Sequence, residues 1–71
     1  MEKNIPVKKA ALLMGKSEQF VRVSLQQKLV PFGYAVKRRS SYSYYINPVQ
    51  FYTYMGMPIP REVFDAYKEV N

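Results

Sequence analysis

Three side chains that could read the edges of base pairs lie at helical spacing in the first half of the chain. Gln19, Arg22 and Gln26 are three and four residues apart, so a helix through them presents all three on one side. A guanidinium can donate to guanine O6 and N7, and a glutamine can pair with adenine N6 and N7. The pattern indicates contact with a nucleic-acid duplex, and ordinary solvated glutamines are the alternative for Gln19, Gln26 and Gln27.

A run of cations and hydroxyls follows later in the chain, made of Lys37, Arg38, Arg39, Ser40 and Ser41. Such a run can follow a phosphate backbone toward the minor groove, whose negative potential attracts arginine. A solvated surface turn is the alternative. Three further cations are candidate phosphate anchors, which set register without reading sequence: Lys8, Lys9 and Lys16.

Two residues at the start of the candidate reading helix need separate weighing. Ser17 is a good N-cap, and the free amides next to it also favour a phosphate oxygen, so both roles stay open. Glu18 repels phosphate. We expect it to face cytosine N4, to pair with a nearby cation or to point away.

Charge and composition limit the classes of function. The net charge is +6 with a pI near 9.7, and residues 1–41 hold nine cations against two anions, so polyanionic partners are expected. The chain has no Cys and no His, which removes the thiolate nucleophile, the commonest metal ligands and the usual general base. We therefore expect no catalysis, no metal and no cofactor.

Length and hydropathy point to one small soluble domain. A chain of 71 residues leaves little room for a catalytic cleft. No apolar run approaches the roughly 18–20 residues that span a bilayer, and the first four residues lack the pattern of a signal peptide. We expect a cytoplasmic, nucleoid-associated protein with no membrane partner.

Local patterns predict two short helices at the start. Val7, Ala10, Ala11 and Met14 have the spacing of one helix face, with Pro6 before them and Gly15 as a stop. A second helix begins after Ser17 and turns Val21 and Leu25 inward. The connection of about three residues predicts a helix-turn-helix with a protruding second helix. A helical hairpin of a small bundle is the alternative.

The second half of the chain predicts a hairpin and two further helices. Residues 29–36 and 42–46 read as strands joined by a basic tip over 37–41, which has the shape of a wing. Asn47 and Pro48 start a third helix that Gly56 ends. A fourth helix over 61–70 places Val63, Phe64, Tyr67 and Val70 on one face, and it must dock on the core, pair with another copy or fray.

The aromatic residues allow more than one role. Tyr42, Tyr44 and Tyr45 share one strand, so at least one must face outward. We favour core and sheet cover over a stacking platform for single strands. Phe20 fits either the core or an exposed contact with a thymine methyl.

This order of elements resembles the excisionase family of small winged helix-turn-helix proteins, which is related to the DNA-binding domains of MerR-type regulators and common in phages and integrative elements. The resemblance covers residues 5–55. It is carried by Val7-Lys8-Lys9-Ala10-Ala11-Leu12-Leu13-Met14-Gly15-Lys16-Ser17, by Val21 and Leu25, by Leu29-Val30-Pro31-Phe32, and by Tyr45-Ile46-Asn47-Pro48. The chain departs from the family at Lys16, Phe20 and Lys28, where an apolar residue, a small polar residue and often a Gly are usual.

We therefore expect a small α+β winged helix-turn-helix over residues 1–56, with a C-terminal extension over 57–71 that docks or binds a partner. The expected function is sequence-specific binding of double-stranded DNA, with self-association on DNA as a further expectation. The resemblance implies an architectural factor that steers a phage-type integrase toward excision of a mobile element. A small transcriptional regulator, or a protein-interaction module such as a phage adaptor or packaging component, is the alternative.

Overall fold

The computed structural model of the chain describes the backbone of residues 4–70 and the side-chain surroundings of residues 4–65. The described chain is a small α+β structure with four helices and one antiparallel hairpin, as the sequence predicts. The elements, in chain order, are α1 (Val7–Met14), α2 (Glu18–Gln26), β1 (Gly33–Arg38), β2 (Ser41–Ile46), α3 (Pro48–Met55) and α4 (Arg61–Val70).

The turn between α1 and α2 forms as its residue types dictate. Gly15 takes the left-handed conformation with φ +68°, and the Lys16 N–H donates to the Ala11 carbonyl at 3.0 Å. Ser17 is the N-cap of α2, and its Oγ accepts from the Phe20 N–H at 3.0 Å. The predicted stop and start are both confirmed.

Helix α2, like α1, is followed by a residue in the left-handed conformation, but after α2 this residue is a lysine. The Leu29 N–H donates to the Ser24 carbonyl at 2.9 Å and the Lys28 N–H to the Leu25 carbonyl at 3.3 Å, which is the paired bond pattern of a Schellman motif. The motif needs a left-handed residue, and here Lys28 supplies it with φ +57°. A lysine with its Cβ is strained at this position, where glycine is the usual choice.

The first strand is shorter at its start than the sequence predicts. Residues 29–32 form a turn, and β1 begins at Gly33. The physical reason is that the turn directs Phe32 into the core, where it is 1% exposed, while its carbonyl accepts from the Asn47 N–H at 2.7 Å. Gly33 is required there because a Cβ would collide with the Tyr45 carbonyl oxygen.

The hairpin tip is also shorter than predicted. Arg38 pairs with Ser41, so the predicted tip over 37–41 reduces to Arg39 and Ser40, and Lys37 belongs to the strand. Arg39 takes a positive φ of +47°. Two-residue hairpin loops require such angles because they match the right-handed twist of the strands.

Helix α3 begins and ends as predicted. The Asn47 side chain accepts from the Gln50 N–H at 3.0 Å, Pro48 occupies the first turn, and Gly56 closes the helix with φ +70°. Asn4 and Ile5, which precede α1, are fixed beside the end of β2. The Ile46 N–H donates to Asn4 Oδ1 at 2.8 Å, and the Ile46 carbonyl accepts from the Ile5 N–H at 3.1 Å.

One core joins all the helices and the base of the hairpin. Helix α4 contributes Val63, which is 5% exposed, whereas Phe64 is 59% exposed and therefore does not share the buried face predicted for it. Tyr67 and Val70, predicted on that face, lie outside the described side chains. The buried hydrophobic residues are Ile5, Ala10, Ala11, Val21, Leu25, Phe32, Ile46, Phe51, Tyr52 and Val63.

The molecule is flat, with principal extents of 35 × 26 × 17 Å. Within residues 4–70, no helix combines the length and apolar character needed to cross a membrane.

Candidate nucleic-acid interface

Helix α2 turns three residues inward and most of its polar residues outward. Val21 and Leu25 are each 1% exposed, and Ser24 is 5% exposed. At 100° per residue, Gln19, Val23 and Gln26 lie opposite this buried face, with Arg22 at its edge. Gln19 is exposed and the other three are half-buried. The structure thus leaves Gln19 and Arg22 accessible from solvent on the outer side of α2, while Gln26 also contacts the hairpin.

Arg22 is held by its own helix. Its Nη1 lies 3.5 Å from Glu18 Oε1, and its Nη2 donates to Gln19 Oε1 at 3.3 Å. Of the three alternatives expected for Glu18, the structure has the carboxylate paired with a nearby cation. Exposed pairs at this helical spacing contribute only about 0.3–0.5 kcal/mol, so a stronger acceptor can displace Glu18 from the guanidinium.

Gln26 is not free in the way that the sequence predicts. Its Nε2 donates to the Tyr44 hydroxyl at 2.6 Å, a partly buried bond across 18 residues of sequence. This bond joins the last turn of α2 to strand β2. The structure therefore gives Gln26 a role in holding the hairpin against the helix, and one of the two N–H groups of its amide is engaged in this bond.

The hairpin separates the predicted cationic cluster into two faces. Residues that pair directly across the strands share a face, so Lys37 lies with Tyr42 on the face that also carries Ala35 and Tyr44. Tyr44 and Ala35 pack on the core, and Tyr44 contacts α2. Lys37 thus extends from the face that contacts α2.

Arg38 leaves the opposite face of the hairpin, together with Ser41, because side chains alternate along a strand. The Ser41 Oγ donates to the Arg38 carbonyl at 3.4 Å. Arg39 and Ser40 are exposed at the turn itself. The five predicted hairpin residues are therefore close in space but do not form one surface.

A groove between α1 and the start of α2 brings together several of the predicted anchors. It has a volume of about 240 Å³ and is lined by Lys8, Ala11, Leu12, Lys16, Ser17 and Glu18. Lys9 is exposed on α1. Because the first amides of α2 open near this groove, an anionic oxygen there would be attracted by Lys8, Lys16 and the positive end of the helix, and the carboxylate of Glu18 in the lining would oppose it.

Phe20 is exposed rather than buried in the core. The side chain is 45% exposed, and Lys16 Nζ lies 5.3 Å from the centre of its ring. This distance is that of a cation–π contact.

The tyrosines divide between the two faces of the hairpin. Tyr42 and Tyr44 stack with ring centres 6.1 Å apart on the face toward α2, and Tyr34 and Tyr45 meet at 5.3 Å on the other face. Tyr44 packs against the core, as expected for sheet cover, while Tyr34 is 51% exposed.

One residue of this surface, Val23, and one contact, that of Tyr44 with Gln26, have no place in the sequence predictions. Val23 lies four residues after Gln19, a spacing that places it on the same side of α2, and this signal could have identified it. The partnership of Tyr44 with Gln26 has no local signal, since it depends on how the hairpin folds back on the helix.

No family model, no curated protein and no solved structure matches this chain. Residues 4–65 contain no cluster of three or more carboxylate, His or Cys side chains that could hold a metal ion. The surface formed by α2, the α1–α2 groove and the hairpin carries amides, hydroxyls and cations, which are the groups that hydrogen-bond to bases and phosphates.

Proposed function

We propose that this chain is a winged helix-turn-helix protein that binds double-stranded DNA, with α2 in the major groove and the hairpin as a wing along the neighbouring backbone. The single observation that supports this most directly is the Gln26–Tyr44 hydrogen bond at 2.6 Å. It fixes the hairpin beside α2, and Lys37 extends from the same hairpin face as Tyr44. A base-reading helix and a cationic wing can then engage one duplex together.

Each part of the surface has a role in this proposal. Arg22 exchanges its weak bond to Glu18 for a bidentate contact with guanine, and Gln19, released from Arg22, pairs with adenine. Lys8, Lys16 and the first amides of α2 hold phosphates without reading sequence. Lys37 and Arg39 contact the backbone beside the major groove.

A salt series tests the proposal. Duplex affinity should fall linearly on a plot of log affinity against log salt concentration, because each phosphate contact displaces counterions and contributes about 0.9 to the slope. Lys37→Gln should flatten the slope by about that amount for every duplex. Arg61→Gln, which removes an exposed cation at the start of α4, is the matched control and should leave the slope unchanged. Binding that does not respond to salt would contradict the proposal.

We extend this proposal to an architectural role in which the protein bends DNA near a recombination site and steers a phage-type integrase toward excision. The resemblance of residues 5–55 to excisionases supports this role, and a small transcriptional regulator is the alternative. Energy transfer between dyes at the two ends of a bound duplex separates the two. An architectural factor brings the ends closer on binding, and an unchanged distance favours the regulator.

A second candidate function, docking on a protein partner, is favoured by exposed apolar side chains on α3 and α4. Phe64 on α4 is 59% exposed and Tyr54 on α3 is 53% exposed. A shallow groove of about 260 Å³ on the α3 side is lined by Pro31, Val49, Gln50, Thr53 and Tyr54. Association with a protein through the α3 groove would be nearly independent of salt and would be lost in Tyr54→Ala.

A further inference from the structure

Two apolar side chains stand among the polar ones on the solvent side of α2. Phe20 is 45% exposed, and Val23 is half-buried. In the part of the chain that the structure describes, Val23 is not among the partly buried hydrophobic residues that pack on the core. The two residues are three positions apart, which places them side by side on the helix surface. Phe20 and Val23 together form an apolar strip on α2.

The strip adjoins groups that the proposed function assigns to DNA. Val23 lies one turn after Gln19 on the same side of α2, and Phe20 lies beyond Val23 around the helix, so a base contacted by Gln19 has the strip on one side of it. Lys16 Nζ lies 5.3 Å from the centre of the Phe20 ring. When Lys16 holds a phosphate, the ring therefore lies at the edge of the groove that α2 enters.

The major groove offers one apolar group at the base edges, which is the 5-methyl group of thymine. We propose that Phe20 and Val23 contact thymine methyl groups, so that α2 selects a site in which an adenine read by Gln19 has thymine on one side of it. This inference rests on the proposed binding of α2 in the major groove. It adds the class of sequence that the helix prefers.

Replacement of thymine by deoxyuridine tests the inference, because it removes the methyl group and leaves base pairing and the backbone unchanged. The probe is the duplex that the full-length protein selects from a random pool, with each dT replaced singly by dU. We expect a loss of about 3–5-fold in affinity at one or two adjacent positions, the effect of leaving one methyl group uncovered. Phe20→Ala and Val23→Ala should each bind the dT and dU forms equally at one of these positions.

Val36→Ala is the matched control. Val36 is an exposed apolar residue on the hairpin, 46% exposed, and on the face opposite Tyr44, so its loss should leave the dT/dU ratio as in the unaltered protein. The ratio of dT to dU affinity in the unaltered protein tests the inference even if an alanine variant fails to fold. A ratio of one at every position, or a ratio that survives both alanine variants, overturns the inference while duplex binding stands. Absence of salt-dependent duplex binding overturns the proposed function and this inference together.

Discussion

At the scale of single residues, Arg22 links the free and the bound forms of the proposed interface. Its guanidinium is already directed along the outer side of α2 by Glu18 and Gln19. We expect Arg22→Ala to reduce the preference for the selected duplex over a random one by about 1–3 kcal/mol, or roughly 5–150-fold. Competition binding measures the ratio, and Arg61→Ala should leave it unchanged. Equal loss of affinity for both duplexes would make Arg22 a phosphate contact instead.

Lys28 offers a test of the fold that does not depend on function. Lys28→Gly should raise the free energy of unfolding by about 0.5–1 kcal/mol, because glycine accepts φ +57° without a Cβ clash. Thermal unfolding should show a Tm higher by several degrees. Lys28→Ala removes the same charge but keeps the Cβ, so it separates backbone strain from electrostatics. A gain of the same size in both variants would assign the effect to charge.

Residue types that act locally could be predicted from the sequence. Ser17, Asn47, Gly15 and Gly56 each satisfy or stop a helix end within four residues of themselves, so their roles follow from their chemistry. The exposure of Phe20 could not be predicted in this way. Its surroundings depend on the angle at which α1 crosses α2, and an aromatic residue next to an inward-facing valine fits either environment.

At the scale of elements, the bond between α2 and β2 determines how the helix and the hairpin lie together. Tyr44→Phe removes the hydroxyl that accepts from Gln26 and should cost about 1 kcal/mol of stability. Under the proposed function, it should also weaken all duplexes by a similar factor, because the hairpin loses its fixed position without any change in the reading residues.

Tyr42→Phe is the control for this pair, since the Tyr42 hydroxyl makes no hydrogen bond within the described residues. Denaturant unfolding and duplex titration of both variants give the comparison. If Tyr44→Phe changes the preferred DNA sequence rather than the overall affinity, Gln26 contacts a base once its bond to Tyr44 is lost, and its role is not limited to holding the hairpin.

The hairpin shows where prediction from sequence ends. Alternation and turn residues predict two strands, and the ladder from Gly33 to Arg38 confirms them. The sequence predicts too early a start for β1 because Leu29, Val30 and Phe32 have the composition of a strand, whereas the left-handed Lys28 and the burial of Phe32 turn the chain. Lys37 and Arg38 lie on opposite faces of the hairpin because they are adjacent in one strand. A run of three cations does not reveal this, since the run alone does not show which of them belong to the strand.

At the scale of the whole molecule, α4 contributes Val63 to the core. Val63→Ala should lower the free energy of unfolding by about 1.5–3 kcal/mol, because two buried methyl groups are lost from a position that is 5% exposed. Phe64→Ala, one residue later and 59% exposed, should change it by less than about 0.5 kcal/mol. Circular dichroism with urea measures both, and equal effects would mean that α4 packs through a different face.

If the proposed function holds, the longest dimension of the molecule limits how much DNA one copy can occupy. Its longest dimension, 35 Å, matches the length of about one helical turn of B-form DNA, or roughly 10 base pairs. Under the proposed function, hydroxyl-radical cleavage should show protection confined to about that span on one side of the duplex. Copies spaced by one turn would then meet end to end without overlapping, so the spacing of adjacent sites sets whether neighbouring molecules touch.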